Sequence, residues 1–445
     1  MIGVMKTNNT LGNRIKDFLK KEVVLCVAFV LAVVSAFLVP PDAAYRDYID
    51  FRTLGILFCL MSVMAGLQKI GVFEQIAMRL LARTRKPSSL VVILVFLCFV
   101  FSMVITNDVA LITFVPFVFT VGRLSGEKLY RRMVFPTVVL QTIAANLGSM
   151  LTPIGNPQNL YLYGISGMDW ADFVETMLPY SAASLGLLTI GCVGLGRWLE
   201  RQTDVTEAGT GQVRTGEADV TEAGTGQVRT GQTDGAEEAG TGETDETPRV
   251  NVLVDPGSTH RSFDTLAAGK FAVAVYMGLF ILCLWTVARI VPLWITMAAV
   301  VVGVAIVDVR VFRRVDYCLL LTFTAFFVFI GNMGRLPVFS GFLQYMVSGH
   351  EVPVAILASQ CISNVPAALL LSGFTDNVTG LLIGTNLGGL GTLIASMASL
   401  ISYKYVAAEV RERELSGGKG RYFWLFTAAN LVFLAILVTL YACIG

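Results

Sequence analysis

Apolar residues recur along this chain in long runs, separated by short polar stretches that gather Lys and Arg. A bilayer-spanning helix needs about 20 apolar residues. Nine runs fit, at about 23–40, 54–70, 134–163, 177–197, 268–289, 292–309, 317–334, 378–403 and 422–444. Two further apolar stretches, 88–122 and 351–373, each carry a polar tripeptide near the middle, Thr106-Asn107-Asp108 and Ser363-Asn364-Val365. Backbone that leaves the helix at membrane depth is tolerated only where protein or water surrounds it. Each stretch therefore predicts a re-entrant hairpin whose tip stops inside the membrane.

Two of the nine spans are themselves interrupted. "NLGSMLTPIGNPQNL" from Asn146 and "NLGGLGTLIASMASL" from Asn386 match at six of fifteen positions, and each follows a hairpin with Asn at its tip. Gly and Pro in such a span break the helix and leave amide and carbonyl groups free; half-helix N-termini then face an anion and carbonyls a small cation. A proline kink with Asn and Thr joining helices would explain either stretch alone. The paired occurrence favours two halves of one binding site. An odd number of crossings separates the halves, so they are predicted to be inverted repeats with the site near the bilayer midplane.

Charge supports this count. Lys16, Lys20 and Lys21, then Arg79 to Lys86, Arg123 to Arg132, Arg310 to Arg314, and Lys404 to Arg421 fall on one side of the predicted topology, the cytoplasmic side by the positive-inside rule. The N-terminus is then cytoplasmic and the C-terminus outside, in a multi-pass protein of the plasma membrane. The first run, followed by "PPDAAYRDY", lacks a small-residue cleavage pattern and predicts a retained helix. Between the spans lies a Thr-, Gly- and acid-rich segment with "DVTEAGTGQVRTG" at 204 and again at 219. It is too poor in large apolar residues to fold and predicts a disordered cytoplasmic linker. The expected organisation is 1–22 as cytoplasmic N-terminus, 23–198 as first repeat, 199–262 as linker, and 263–445 as a linking span plus second repeat.

Composition narrows the classes. With 55% hydrophobic and 15% charged residues and a net charge of +1, the chain offers no extended basic surface for nucleic acid. The eight Cys lie in apolar runs without a CxxC pair, predicting buried small side chains and neither disulfides nor a zinc site. His260 and His350 have no companions at ligand spacing, so no metal site is expected. No GxxxxGK[ST] string is present and no nucleophile–base set lies at membrane depth, so neither a pump nor an enzyme is predicted. A channel is conceivable, since re-entrant hairpins also build selectivity filters. Asp108 is the ionisable side chain at a tip; it either carries a proton or a cation, or caps the second hairpin helix. Lys69 and Arg335, at span ends, are expected to snorkel to the headgroups.

At "TND", "SNV" and "LGSMLTPIGNPQN" the chain resembles the ion transporter superfamily of divalent anion:sodium symporters, citrate transporter-like permeases, arsenite efflux permeases and NhaD-type antiporters, with Gly148, Thr152, Gly155, Pro157 and Asn159 in place. The resemblance implies an all-α polytopic, elevator-type secondary transporter of a small anion, citrate-like or another oxyanion, with arsenite efflux or sodium/proton antiport as alternatives. It implies sodium or protons as coupling ions, no other cofactor, the bilayer as partner and a homodimer. The implied binding residues are Thr106, Asn107, Asp108, Asn146, Thr152, Gly155 and Asn156 in the first half, with sodium at the hairpin tips. In the second half they are Ser363, Asn364, Asn386, Thr392, Ala395 and Ser396, and segments 71–84 and 336–348 resemble arm helices. The chain departs from the symporters at Asp108 and Val365, where they have Thr, and at Met397, where they have Pro; Asn-Asp at the first tip resembles the arsenite permeases.

Overall fold

The computed structural model describes residues 22–81, 87–124, 127–211, 263–415 and 417–444. Among them every regular element is a helix: α1 (Val23–Leu38), α2 (Tyr45–Tyr48), α3 (Phe51–Ile70), α4 (Val72–Leu81), α5 (Pro87–Ile105), α6 (Asn107–Leu124), α7 (Glu127–Ser149), α8 (Pro157–Ser166) and α9 (Trp170–Gly211). There follow α10 (Phe263–Val287), α11 (Leu293–Asp308), a 3-10 turn over Val309–Arg314, α12 (Tyr317–Gly334), α13 (Pro337–Val347), α14 (Glu351–Ile362), α15 (Asn364–Ser372), α16 (Val378–Gly388), α17 (Met397–Glu412) and α18 (Gly418–Ile444).

Among the described residues, seven helical segments are long and apolar enough to cross a bilayer: Phe51–Ile70, Ser88–Ile105, Trp170–Arg201, Gly269–Val287, Leu293–Arg314, Tyr317–Gly334 and Gly418–Ile444. This is a multi-pass membrane protein. Six of these coincide with spans read from the sequence, while Ser88–Ile105 is the first arm of a hairpin. Val23–Leu38 is a shorter apolar helix, and the remaining two predicted spans are each divided into two helices, α7 with α8 and α16 with α17.

Both predicted hairpins fold back on themselves. Gln141 of α7 donates to the carbonyls of both Leu94 in α5 and Phe114 in α6, at 3.2 and 3.3 Å, which a continuous helix through Thr106 could not allow. In the second, Glu351 at the start of α14 accepts hydrogen bonds from Thr375 (2.9 Å) and Asn377 (3.3 Å), beyond the end of α15, so the two arms close at their base.

The helices sort into two bundles. In one, α3 packs on α10 and α11, and α12 packs on α1. In the other, the hairpins pack on α7, α8, α16 and α17, with α9 and α18 alongside. The start of α3 is matched by that of α12: Asp50 accepts from the Thr53 amide and Asp316 from the Leu319 amide, both at 3.0 Å, satisfying one free N–H of each first turn. After α3 and α12 come α4 and α13, where the arm helices were expected. At the far end of the second bundle, buried Glu409 of α17 accepts from Arg123 of α6 (2.7 Å), from Arg413 (3.3 Å) and from Tyr130 of α7, tying the hairpin base to both broken helices.

Some expectations need correction. The segment read as linker does not begin at 199: α9 continues to Gly211, through the start of the first repeat copy. Residues 212–262 and the expected cytoplasmic N-terminus up to 21 lie outside the described residues. Lys69 and Arg335, expected to snorkel, are each held in an ion pair. Lys69 pairs with Asp308 at the end of α11, and Arg335 pairs with Asp42 at 2.7 Å and bonds the Tyr48 hydroxyl at 3.1 Å. Their partners lie far off in the sequence, Asp308 at the end of α11 and Asp42 in the connection between α1 and α2, which pattern alone does not reveal. Of the cysteines, Cys59, Cys98, Cys192 and Cys283 are buried as expected, but Cys361 and Cys443 are exposed.

Candidate functional site

Each hairpin reverses on a single residue. Thr106 (φ 73°) and Ser363 (φ 75°) occupy the left-handed region, which costs a non-glycine residue about 1–3 kcal/mol and persists only where neighbours hold it. The neighbour is the broken helix. The Asn107 amide donates to the Gly155 carbonyl at 3.1 Å, and the Asn364 amide donates to the Ala395 carbonyl at 3.0 Å. At each tip the Asn side chain accepts from the next amide, Asp108 or Val365, both at 3.0 Å. The Asn107 side chain thus satisfies one amide of the first turn of α6, while Asp108 Oδ1 is buried without a partner.

The breaks repeat the same geometry. Thr152 donates to the Met103 carbonyl, and Thr392 donates to that of Gln360 at 3.3 Å; Met103 and Gln360 each stand three residues before a tip. The Gly155 and Ala395 amides return to the Thr152 and Thr392 carbonyls, both at 3.2 Å. Asn156 caps α8 through the Asn159 amide (2.9 Å), and Ser396 caps α17 through the Ala398 amide (3.2 Å). Gly148 and Gly388 permit close packing against the hairpins: a Cβ on Gly148 would stand 2.1 Å from the Phe99 carbonyl, and one on Gly388 2.7 Å from the Ser359 hydroxyl.

Two asparagines join the halves. Asn146 accepts from Asn107 (3.2 Å) and from Ser396 (2.9 Å), and donates to the Gly389 carbonyl at 3.4 Å. Asn386 accepts from Asn156 (3.2 Å) and donates to Asn159 (2.6 Å). Each thus reaches the N-cap of the opposite broken helix.

Thr106, Asn107, Asp108, Asn146, Thr152, Gly155 and Asn156 are brought together with Ser363, Asn364, Asn386, Thr392, Ala395 and Ser396 on these tips and breaks. Sequence reasoning missed what satisfies the breaks. Asn159 Nδ2 donates to the carbonyls of Ser149, Met150 and Thr152 at 3.2–3.4 Å. In the second half Gln360 does this work, donating to Gly388 (2.9 Å) and Leu390 (2.8 Å) and accepting from the Thr392 amide (2.8 Å). The available signal was a carboxamide within a hydrophobic segment, since buried amides must find partners.

Four helices, α6, α8, α15 and α17, begin at this locus, and four, α5, α7, α14 and α16, end there. A helix N-terminus carries roughly half a positive charge and its C-terminus the opposite, so the locus offers amides to an anion and carbonyls to a cation. The tips and breaks contain no Lys or Arg, and Asp108 is their one carboxylate. At the far end of α8, Arg289 from the turn between α10 and α11 donates to the Tyr163 carbonyl (3.2 Å) and to those of Gly164 and Gly167 (3.5 Å each). It fastens that half-helix to the other bundle where a cation suits the dipole.

The chain is 29% identical over 373 residues to the inner membrane protein YbiR of Escherichia coli (strain K12), covering 83% of this chain and 84% of that protein. It is 26% identical over 375 residues to the uncharacterized transporter MJ0456 of Methanocaldococcus jannaschii, covering 82% and 83%. Over 146 residues it is 31% identical to the silicon efflux transporter LSI3 of Oryza sativa subsp. japonica, covering 33% of this chain and 29% of that one. The model of the CitMHS family, described as citrate transporter, matches residues 14–382, and the chain belongs to that family.

Proposed function

We propose that this protein is a secondary active carrier of a small anion, a citrate-like carboxylate or another oxyanion, coupled to sodium or protons. The observation that carries this reading is the matched pair of tips and breaks joined across the halves by Asn146 and Asn386. Backbone that leaves the helix at membrane depth needs surrounding protein or water, paired breaks of this kind are how carriers build a solute and ion site, and here eight helix termini meet at one locus. In this reading the Asn107 and Asn364 side chains face the anion beside the positive ends of α8 and α17, and carbonyls of the same turns hold sodium.

Support for inverted repeats comes from the directions of the broken helices. From the site, α17 runs along the first hairpin toward its base, where Glu409 meets Arg123. In the other half, α8 runs along α15, where Tyr161 meets Ser372 at the base of the second hairpin (2.8 Å). The hairpins then enter from opposite faces. Transport follows as an elevator movement of the hairpin bundle against the scaffold of α1, α3, α10, α11 and α12, with α4 and α13 as arms. The charge clusters support a cytoplasmic N-terminus in a plasma membrane, and a homodimer would immobilise the scaffold.

A second reading has its own observation. Neither tips nor breaks offer a Lys or Arg to a multiply charged anion, while Asp108 would repel one. An undissociated oxyacid, the kind of cargo suggested by the silicon efflux transporter among the relatives, would meet no such penalty. In proton coupling Asp108 is the group that takes up the proton. A sodium/proton antiporter is the third reading. The test is the transient current from purified protein in proteoliposomes on a citrate jump, with and without sodium at constant pH. A sodium-dependent current is expected; citrate currents that ignore sodium would move the coupling to protons, and no response to citrate, arsenite or a sodium gradient would refute the carrier.

A further inference from the structure

Gln158 stands immediately after the first break and belongs to none of the hydrogen bonds described there. Its side chain is 1% exposed, yet neither Nε2 nor Oε1 has a partner. A buried carboxamide without partners is costly and requires a reason. The break itself does not supply one, because the second half forms the equivalent turn with Ala398 at the corresponding position.

The backbone beside it is also incomplete. The first N–H groups of a helix lack intrahelical acceptors. In α8, Pro157 has no N–H, the Asn159 amide is taken by the Asn156 side chain (2.9 Å), and the Leu160 amide by the Asn156 carbonyl (3.3 Å). That leaves the Gln158 amide, at the positive end of the helix dipole. Tyr161, one turn further on and so on a neighbouring part of the helix face, packs its ring against Phe323 and Phe327 of α12 at centroid distances of 6.4 and 5.6 Å. Gln158 therefore lies where the break meets the opposite bundle.

We infer that the Gln158 amide and carboxamide form a subsite of the carried solute, with two donors and one acceptor. Such a set matches an acceptor oxygen beside a hydroxyl group, as found in hydroxycarboxylates and in undissociated oxyacids. This rests on the carrier reading and makes Gln158 a specificity residue of that site.

The test uses the full chain in detergent with sodium, comparing wild type with Gln158→Met and Gln158→Glu. Melting temperature is followed without solute and during titration with citrate, arsenite and silicic acid in turn. Gln158→Met is expected to melt no lower than wild type, because it removes polar atoms that nothing in the fold satisfies. The stabilising solute should then be needed at about tenfold higher concentration, the cost of a lost hydrogen bond. Stabilisation by citrate alone assigns the hydroxycarboxylate, and by arsenite or silicic acid the undissociated oxyacid. Gln158→Glu should weaken citrate more than the uncharged acids. A Gln158→Met protein that melts well below wild type, or that is stabilised at wild-type concentrations, overturns the subsite alone. A wild type stabilised by none of the three overturns the carrier reading and the subsite with it.

Discussion

The two broken helices reach the same backbone path by different means. Both stop at a hairpin tip, both return an amide to a Thr carbonyl, and both are capped by a side chain that an Asn from the other half engages. The first is satisfied from within, by Asn159 of its own second half-helix. The second is satisfied from outside, by Gln360 of the hairpin. The required feature is thus the shape of the turn and its free termini, and the residues that satisfy the remaining groups can differ. The halves differ further in polarity, Asp108 against Val365 at the tips and Gln158 against Ala398 just after the breaks.

The comparison can be broken most severely at Gln360. Gln360→Leu removes the donor to the carbonyls of buried Gly388 and Leu390, each worth about 1–3 kcal/mol when left unsatisfied, and the acceptor of the exposed Thr392 amide. A loss of about 3 kcal/mol or more is expected in denaturant-induced unfolding in detergent, together with loss of transport. Asn159→Leu removes three donations to carbonyls of the break, at 3.2–3.4 Å, and the acceptor of the Asn386 side-chain amide at 2.6 Å, and should likewise cost about 3 kcal/mol or more. The same unfolding series measures both, and a loss below about 1 kcal/mol for either would refute this account of the breaks. A reciprocal exchange at the turn sharpens the contrast. Gly155→Ala places a Cβ 2.0 Å from the Ser149 carbonyl and should destabilise by about 1–3 kcal/mol. Ala395→Gly, which makes the second turn resemble the first, should change stability by less than about 1 kcal/mol. The smallest structural effect is expected for Asp108→Asn: unfolding stability should hold within about 0.5 kcal/mol or rise, while the pH dependence of transport flattens. An unchanged pH profile would exclude Asp108 from proton coupling.

Much of this was legible because membranes penalise free backbone. Thr106-Asn107-Asp108 and Ser363-Asn364-Val365 stood out as polar tips in apolar stretches, and the duplicated Asn-Leu-Gly strings located both breaks. The partnerships were not legible. Lys69 finds Asp308 and Arg335 finds Asp42 across the chain, through helix packing that no periodicity encodes. Gln360 looked like one polar residue in a hairpin arm, and its role depends on the break folding against it. Asp108 read equally well as a cap because Asp suits a first turn; that Asn107, one residue earlier, accepts from the Asp108 amide through its own side chain depends on the shape of the tip. The continuation of α9 to Gly211 was hidden because its polar composition matches the segment that follows.

The central claim, that the joined tips and breaks form one saturable transport site, is tested most directly by counterflow in proteoliposomes. Vesicles loaded in turn with citrate, arsenite or silicic acid would be diluted into tracer of the same solute, for wild type and Asn386→Ala. The account predicts transient, saturable tracer accumulation by wild type for one of these solutes, and its loss in a folded Asn386→Ala protein. Flux that rises linearly with concentration, or counterflow undiminished by Asn386→Ala, would contradict it.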